Sequence, residues 1–252
     1  MEDKKKTQYQ YTIKTLSPLI LSPRVQNAFY QKIDFDEGLK ADGKEVNIIY
    51  PFYQYGMYEK YDPDHGQYYI PGSSVKGAVG AENFTVDDIR VNGGDLHLGV
   101  LWKVQYADPA DGNGTGVQFQ PFFPNVAVEM LNIGAECPGC FFAGEAPQIR
   151  LQRCHGYSLK KLEQYIKRLR DIVDMASTMQ KEMPEVLGRA ISEGEDLLRK
   201  DYGEDTYLVI LGGYKGLVLS KILDTEDAKS GIFIDKASGL PHGLVELKLL
   251  KG

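Results

Sequence analysis

The chain has 252 residues, 42% of them hydrophobic and 25% charged, and a formal net charge of −6. That length holds one large domain or two small ones, and the composition is ordinary for a soluble globular protein. The acidic balance excludes a global positive field that would draw the chain to nucleic acid, so such a contact has to come from a local patch or from a larger basic assembly.

Three cysteines argue against a closed disulfide framework and for a reducing compartment. The charged start, Met1-Glu2-Asp3-Lys4-Lys5-Lys6, lacks a following apolar segment of the secretory kind, and no apolar run approaches the ~20 residues of a membrane span. The expected location is the cytoplasm, with no membrane partner.

Residues 8–22 alternate, with Tyr9, Tyr11 and Ile13 on one face and Gln8, Gln10, Thr12 and Lys14 on the other, which predicts a half-buried strand. Residues 24–47 read as a long loop or a weak hairpin. Val46 to Tyr69 is dense in tyrosine, and Asp62-Pro63-Asp64-His65-Gly66 within it is a turn signature. A hairpin is expected there. Its tyrosines serve packing and protein contact, or else a stacking platform for bases.

Tyr69 to Val79, YIPGSSVKGAV, leaves an extended segment, turns at Pro71-Gly72 and enters a helix. Ser73 or Ser74 is placed to cap that helix, whose free N–H groups favour an anion. Lys76 adds a mobile positive charge, and Gly72 and Gly77 allow close backbone approach. Gly80 keeps the helix short. Residues 84–92 read as a helical turn or strand edge, and Leu96 to Tyr106 as one alternating strand. Asp108 to Gly116 is a flexible tip, and residues 125–136 an antiparallel partner strand.

Cys137-Pro138-Gly139-Cys140 reads as a turn, and Ile149 to His155 as extended chain. Ser158 to Glu182 is the clearest helix, with Leu159, Leu162, Ile166, Leu169, Val173 and Ala176 as its apolar stripe. A second helix runs from Pro184 to about Lys200, and Thr206 to Gly252 returns to strands. Strands, two helices and strands again make an α+β arrangement of mainly antiparallel sheet.

Three sets of residues carry possible chemistry. Cys137, Cys140, Cys154 and His155 are zinc-type ligands, but adjacent residues in extended chain point to opposite faces, and the other reading is a Pro-Gly turn flanked by small apolar thiols. Asp34, Asp36 and Glu37, with Asp87 and Asp88, are loop carboxylates that position water or metal, or are solvated charges. Gly72 to Gly77 lacks the order of a P-loop, so a nucleotide triphosphatase is not expected. A second glycine stretch, Gly212, Gly213, Lys215, Gly216 and then Lys221, follows an apolar strand and suits a close backbone path beside phosphates. With Lys76, Arg90 and Lys103, its lysines form a candidate basic face. No cofactor is expected.

Taken in order, TLSPLILS, YIPGSSVKGA, FTVDDIRVNGGD, VEMLNIGAE, a helical pair, LGGYKGLVLSK and LPHGLVELKL resemble the RAMP superfamily of CRISPR effector proteins, most of all the head (cap) subunit of type III-A Csm complexes. The resemblance implies ferredoxin-like, RNA-recognition-like antiparallel cores, here as modules at 1–156 and 157–252, with the helical pair between strand-rich halves. It implies a non-catalytic ribonucleoprotein subunit of cytoplasmic antiviral defence. Such a subunit binds the 3′ region of the guide RNA (crRNA), meets target RNA and neighbouring subunits, caps the backbone filament and helps set guide length. Gly72, Ser73, Ser74, Lys76 and Gly77 would lie near RNA backbone, and Gly212, Gly213, Lys215 and Gly216 would form the glycine-rich loop. Where the family usually carries an arginine after the helix, this chain has Gly80. The alternatives are a target-RNA-cleaving backbone subunit using Asp34 or Asp36, and a zinc-stabilised interaction module.

Overall fold

The structure is a computed structural model and describes residues 6–21, 28–56, 59–80, 83–107, 116–178, 184–212 and 232–250. The alternation in the first strand, Thr7–Thr15, turns Tyr11 and Ile13 fully inward and leaves Gln10 and Lys14 exposed. This strand is the centre of a five-stranded antiparallel sheet. Glu136–Ala143 lies on one side of it, followed by Thr85–Val86. Leu244–Leu249 lies on the other side, followed by Thr206–Ile210 at the edge.

Between the first two strands of this series comes helix α1, Gly72–Val79, and after Glu136–Ala143 comes helix α2, Gln148–Thr178. The series is therefore strand, helix, strand, strand, helix, strand, with the last strand beside the first and the third between the first and the second. That is the ferredoxin-like order, with Thr206–Ile210 added outside and long insertions between the elements. The α+β, antiparallel core expected from the sequence is present. The division expected between residues 156 and 157 falls inside α2, and strands from both sides of it, Thr7–Thr15 and Leu244–Leu249, are hydrogen-bonded neighbours.

Two apolar cores hold the sheet and helices. One packs Tyr11, Ile13, Phe141 and Leu247 of the sheet against Val75 and Val79 of α1 and Leu151 and Cys154 of α2. The other joins Leu162, Ile166 and Leu169 of α2 to Leu187 and Ala190 of helix α3, Glu185–Arg199, and to Val104, Ile232 and Ile234. Helix α2 begins ten residues before the expected Ser158. Its buried stripe runs upstream through Cys154 and Leu151 at helical spacing, and Ser158 is buried within the helix rather than capping it. Gly156, which has open space around it, gives no sign in the sequence that the helix passes through.

The remaining strands come from the insertions. Leu96–Val100 and Trp102–Ala107 are expected as one strand, but the chain breaks at Leu101, whose side chain is buried in a small separate cluster. The first half pairs with Val126–Leu131 in a four-stranded sheet, and the second lies between Gly116–Pro121 and Ile232–Ile234. The early loop contains the hairpin Lys40–Ala41 with Lys44–Glu45, turned by Asp42 (φ 50°) and Gly43 (φ 76°). Left-handed values at both positions are those of a tight Asp-Gly hairpin turn. Residues 84–92 form two short strands, Thr85–Val86 and Ile89–Val91. Of the expected tip, residues 108–115 lie outside the described residues, and so do Gly213, Lys215, Gly216 and Lys221 of the second glycine stretch. No described helix is long and apolar enough to cross a membrane.

Candidate nucleic-acid interface

Strand Tyr68–Ile70 delivers the chain through Pro71 into α1, and pairs with Ile89–Val91. The strand–turn–helix expected here is present, but its cap is not a serine. Pro71 is the N-cap, no side chain of α1 caps it, and the N–H of Gly72 donates to Oδ1 of Asp88 at 2.8 Å. The carboxylate of Asp88 thus takes the place that the dipole offers to an outside anion. Gly72 is required for packing: a Cβ there would lie 2.0 Å from the carbonyl oxygen of Val86.

The other residues of the motif divide by face. Val75 and Val79 are buried, Ser74 and Lys76 are half-buried, and Ser73 and Gly77 are exposed. Gly77 has nothing near its missing Cβ, so close approach within the chain does not explain it. Gly80 adopts φ 65° and its N–H donates to Lys76 O, closing the helix in the left-handed conformation that favours glycine. This accounts for glycine where the resemblance leads one to expect arginine.

Beside the helix start, Tyr55 stacks on Tyr69 with ring centroids 4.1 Å apart and planes at 19°, and Tyr53 meets Tyr69 edge-on at 5.6 Å. Arg90 is exposed and lies opposite Tyr69 in the strand pair. The phenol of Tyr55 is pushed above its usual range by burial and by Asp88, with Arg90 acting in the other direction. Among the described residues the expected hairpin between Val46 and Tyr69 is realised only at this end. Gln54 bridges to Tyr68, Tyr55 N–H donates to Gln67 O, and Tyr69 N–H donates to Tyr53 O. At the other end, Ile48–Tyr50 joins Val126–Val128 in parallel.

Behind these rings lies Glu129, 2% exposed. Its carboxylate accepts from Phe52 N–H and Tyr68 O–H at 2.8 Å, and from Gln54 Nε2 at 3.4 Å. Burial raises its pKa and these donors oppose the rise. Neither Glu129 nor its ring of donors is marked in the sequence, because a single Glu in an apolar strand has no motif.

The remaining cations lie elsewhere. Lys103 sits over Phe122 at 5.6 Å, on the face of its strand opposite Trp102. On the Trp102 side, Lys44 and Lys236 both approach the indole, at 5.5 and 4.5 Å from its centroid. Phe119 stacks on Trp102 at 4.9 Å, and Trp102 Nε1 donates to Asp42. Sequence reasoning missed this cluster, since positions 44, 102 and 236 are linked only by the fold. Gly212 (φ 79°) stands where a Cβ would lie 2.5 Å from the carbonyl oxygen of Ile20, so its need for glycine is internal packing.

The metal set is not assembled. Cys137-Pro138-Gly139-Cys140 lies in a continuous strand paired with Tyr11 to Ile13 and beyond, not in a turn. Three residues apart on a strand, the two thiols face opposite sides. Gly139 is there because the ring of Tyr11 lies over it, 2.7 Å from a Cβ position. Cys140 bonds to Asp87, Cys154 to Ala78 O, and His155 Nδ1 accepts from Leu208 N–H at 2.8 Å. Burial pushes the thiols of Cys137 and Cys154 up to about 11, which favours the non-ligating form. Among the described residues no three His, Cys, Asp or Glu side chains come together as metal ligands.

Asp34 is half-buried in a tight turn, where its carboxylate accepts from Tyr30 N–H at 2.7 Å and its carbonyl from Tyr61 N–H. Asp36 is exposed, and Glu37 pairs with Lys32 at 2.6 Å.

No family model and no curated protein matches the chain. Its fold is similar to that of a chain in the cryo-EM structure of a Csm–crRNA–target RNA ternary complex of a type III-A CRISPR-Cas system, with a TM-score of 0.56 and 12% identity, over 95% of this chain and 100% of that one.

Proposed function

We propose that the chain is a protein subunit of a type III, Csm-like CRISPR complex, and that it binds guide RNA there without cutting it. The observation that carries this is the extent of the shared fold: the likeness spans 95% of this chain and the whole of a chain solved with crRNA and target RNA. A net charge of −6 suits a subunit whose RNA contacts are local and whose neighbours supply further positive charge. Arg90, Lys76 and Lys103, and Lys44 with Lys236, are among the described cations available for such contacts. Gly213, Lys215, Gly216 and Lys221 add to them on the sequence alone. Within the complex we assign the chain to the head position, at the guide 3′ end, on the ordered sequence landmarks from TLSPLILS to LPHGLVELKL. Binding rather than cleavage is supported by Asp34, whose carboxylate is already committed to closing its own turn.

The test is co-expression with the other subunits of such a complex in the cytoplasm of a host cell, followed by extraction of bound RNA and mapping of its 3′ ends. With this chain present, the complex holds a guide of defined length. Without it, the 3′ ends become heterogeneous or shift. An unchanged guide length without the chain overturns the head assignment. Metal-dependent target cleavage that is lost with Asp36→Ala or Asp34→Ala overturns the non-catalytic reading.

A further inference from the structure

The short ladder that closes the tyrosine-rich insertion has two different faces. Residues alternate along a strand, so Gln54 and Tyr68 point inward while Tyr53, Tyr55 and Tyr69 point outward. The inward pair is tied to the buried carboxylate of Glu129, with Tyr68 O–H at 2.8 Å and Gln54 Nε2 at 3.4 Å. Phe52 N–H, two residues before Gln54, fixes the same carboxylate, again at 2.8 Å. Backbone hydrogen bonds from Tyr55 to Gln67 and from Tyr69 to Tyr53 close the ladder. The outward tyrosines are therefore mounted on an anchored base.

Tyr55 among them is placed unlike a tyrosine used for packing. Tyr11 and Tyr68 are at most 2% exposed, whereas Tyr55 is 38% exposed. One face of its ring is covered by Tyr69 at 4.1 Å and 19°. At 38% exposure Tyr55 keeps surface that Tyr69 does not cover. Arg90, opposite Tyr69 in the strand pair, is exposed and forms no ion pair among the described residues. Asp88 fills the start of α1 through Gly72 N–H and places negative charge on that side. At the helix start Asp88 takes the place of an outside anion, whereas the flat face of a base beside it carries no charge to repel. Aromatic rings with a neighbouring guanidinium are the chemistry that receives unpaired bases, because every base offers a π-face and a duplex does not.

We propose that the face of Tyr55 turned away from Tyr69, flanked by Arg90, is a stacking platform for one unpaired base of a single-stranded RNA, with the adjoining phosphate on Arg90. The proposal rests on the reading of this chain as an RNA-binding subunit. It gives that reading a specific contact, which differs from the glycine- and serine-bearing helix start expected from the sequence.

The experiment uses the assembled complex containing the full chain, loaded with guide RNAs that carry one 2-aminopurine at successive positions. Stacking on tyrosine quenches its fluorescence. The expected result is quenching at one position. Tyr55→Leu relieves that quenching and weakens RNA binding by roughly 5- to 150-fold, the range for losing one base–aromatic stack, while Tyr55→Trp keeps both. Arg90→Gln lowers the salt dependence of binding by about one counterion. Equal melting temperatures for the Tyr55 variants exclude misfolding. If the wild-type complex holds RNA and Tyr55→Leu changes neither quenching nor affinity, the platform is wrong and the functional reading stands. If Tyr55→Leu releases a neighbouring subunit but not the RNA, the surface is a protein contact and the proposal falls. If the wild-type complex holds no RNA, both readings fall.

Discussion

The N–H of Gly72 and Oδ1 of Asp88 stand 2.8 Å apart, so the start of α1 is capped from outside its own sequence, by a residue sixteen positions later. Such a cap satisfies a backbone donor and complements the helix dipole. Asp88→Ala is expected to lower stability by about 0.5–2 kcal/mol, the usual worth of an N-cap. Asp88→Asn keeps an acceptor oxygen and recovers most of that loss. Urea unfolding of the three proteins checks it, and equal midpoints would show that the bond contributes nothing.

Gly72 and Gly77 belong to one motif yet have opposite requirements. A Cβ at Gly72 meets backbone at 2.0 Å, whereas at Gly77 it meets nothing within 4 Å. Gly72→Ala forces strand Thr85–Val86 away from the helix and is expected to cost at least about 1–3 kcal/mol. Gly77→Ala, at a helical position with room, is expected to stabilise by about 0.4–1 kcal/mol. If Gly77 lies against RNA backbone in the complex, Gly77→Ala also weakens RNA binding while raising the melting temperature. Thermal unfolding and RNA affinity measured on the same variants separate these two roles.

The contrast shows what was legible in the chain. Alternation in Thr7–Thr15 and the apolar stripe of α2 are local patterns, and both gave the right element type. The sequence also places the turn at Pro71-Gly72 correctly. What it cannot supply is the partner across space. Asp88 reads as a solvated loop charge until the strand pair Tyr68–Ile70 with Ile89–Val91 brings it to Gly72. Cys137 to Cys140 read as a Pro-Gly turn flanked by thiols until Pro138 and Gly139 prove to be strand residues, with glycine tolerated because Tyr11 covers it. The same holds for Lys44 and Lys236, which share one indole from positions far apart in the chain.

His155 joins α2 to the edge strand through Nδ1, which accepts from Leu208 N–H at 2.8 Å. That bond needs Nδ1 unprotonated, and burial holds the ring below the usual histidine pKa. Because the folded pKa is depressed, the contribution is present above the unfolded value of about 6.5 and is lost as pH falls through the folded value. Wild-type stability is therefore expected to drop between neutral pH and about pH 5 by more than that of His155→Phe. The difference between the two profiles isolates this residue from His65, whose pKa Asp62 raises. Parallel profiles would show that the ring does not titrate between the folded and unfolded states.

Glu129 titrates in the opposite sense. Desolvation raises its folded pKa despite the donors from Phe52, Tyr68 and Gln54. A raised acid binds its proton more tightly in the folded state, so the associated stability is fully present below the unfolded value of about 4.3 and is lost as pH rises through the folded value. Glu129→Gln keeps the shape and one acceptor oxygen but cannot ionise. The stability of wild type relative to Glu129→Gln is expected to fall as pH rises from about 4 until Glu129 is ionised, and then to level off. Glu129→Leu removes the acceptor altogether and leaves the buried N–H of Phe52 without it. It is expected to cost about 1–3 kcal/mol for that buried donor. Since Gln54 and Tyr68 hold the inner face of the tyrosine ladder, Glu129→Leu also frees the outer face. Faster amide hydrogen exchange at Tyr55 and Tyr69 in that variant, with the α2 amides unchanged, would show that the carboxylate sets the rigidity of the platform. Uniformly faster exchange would instead assign Glu129 to global stability alone.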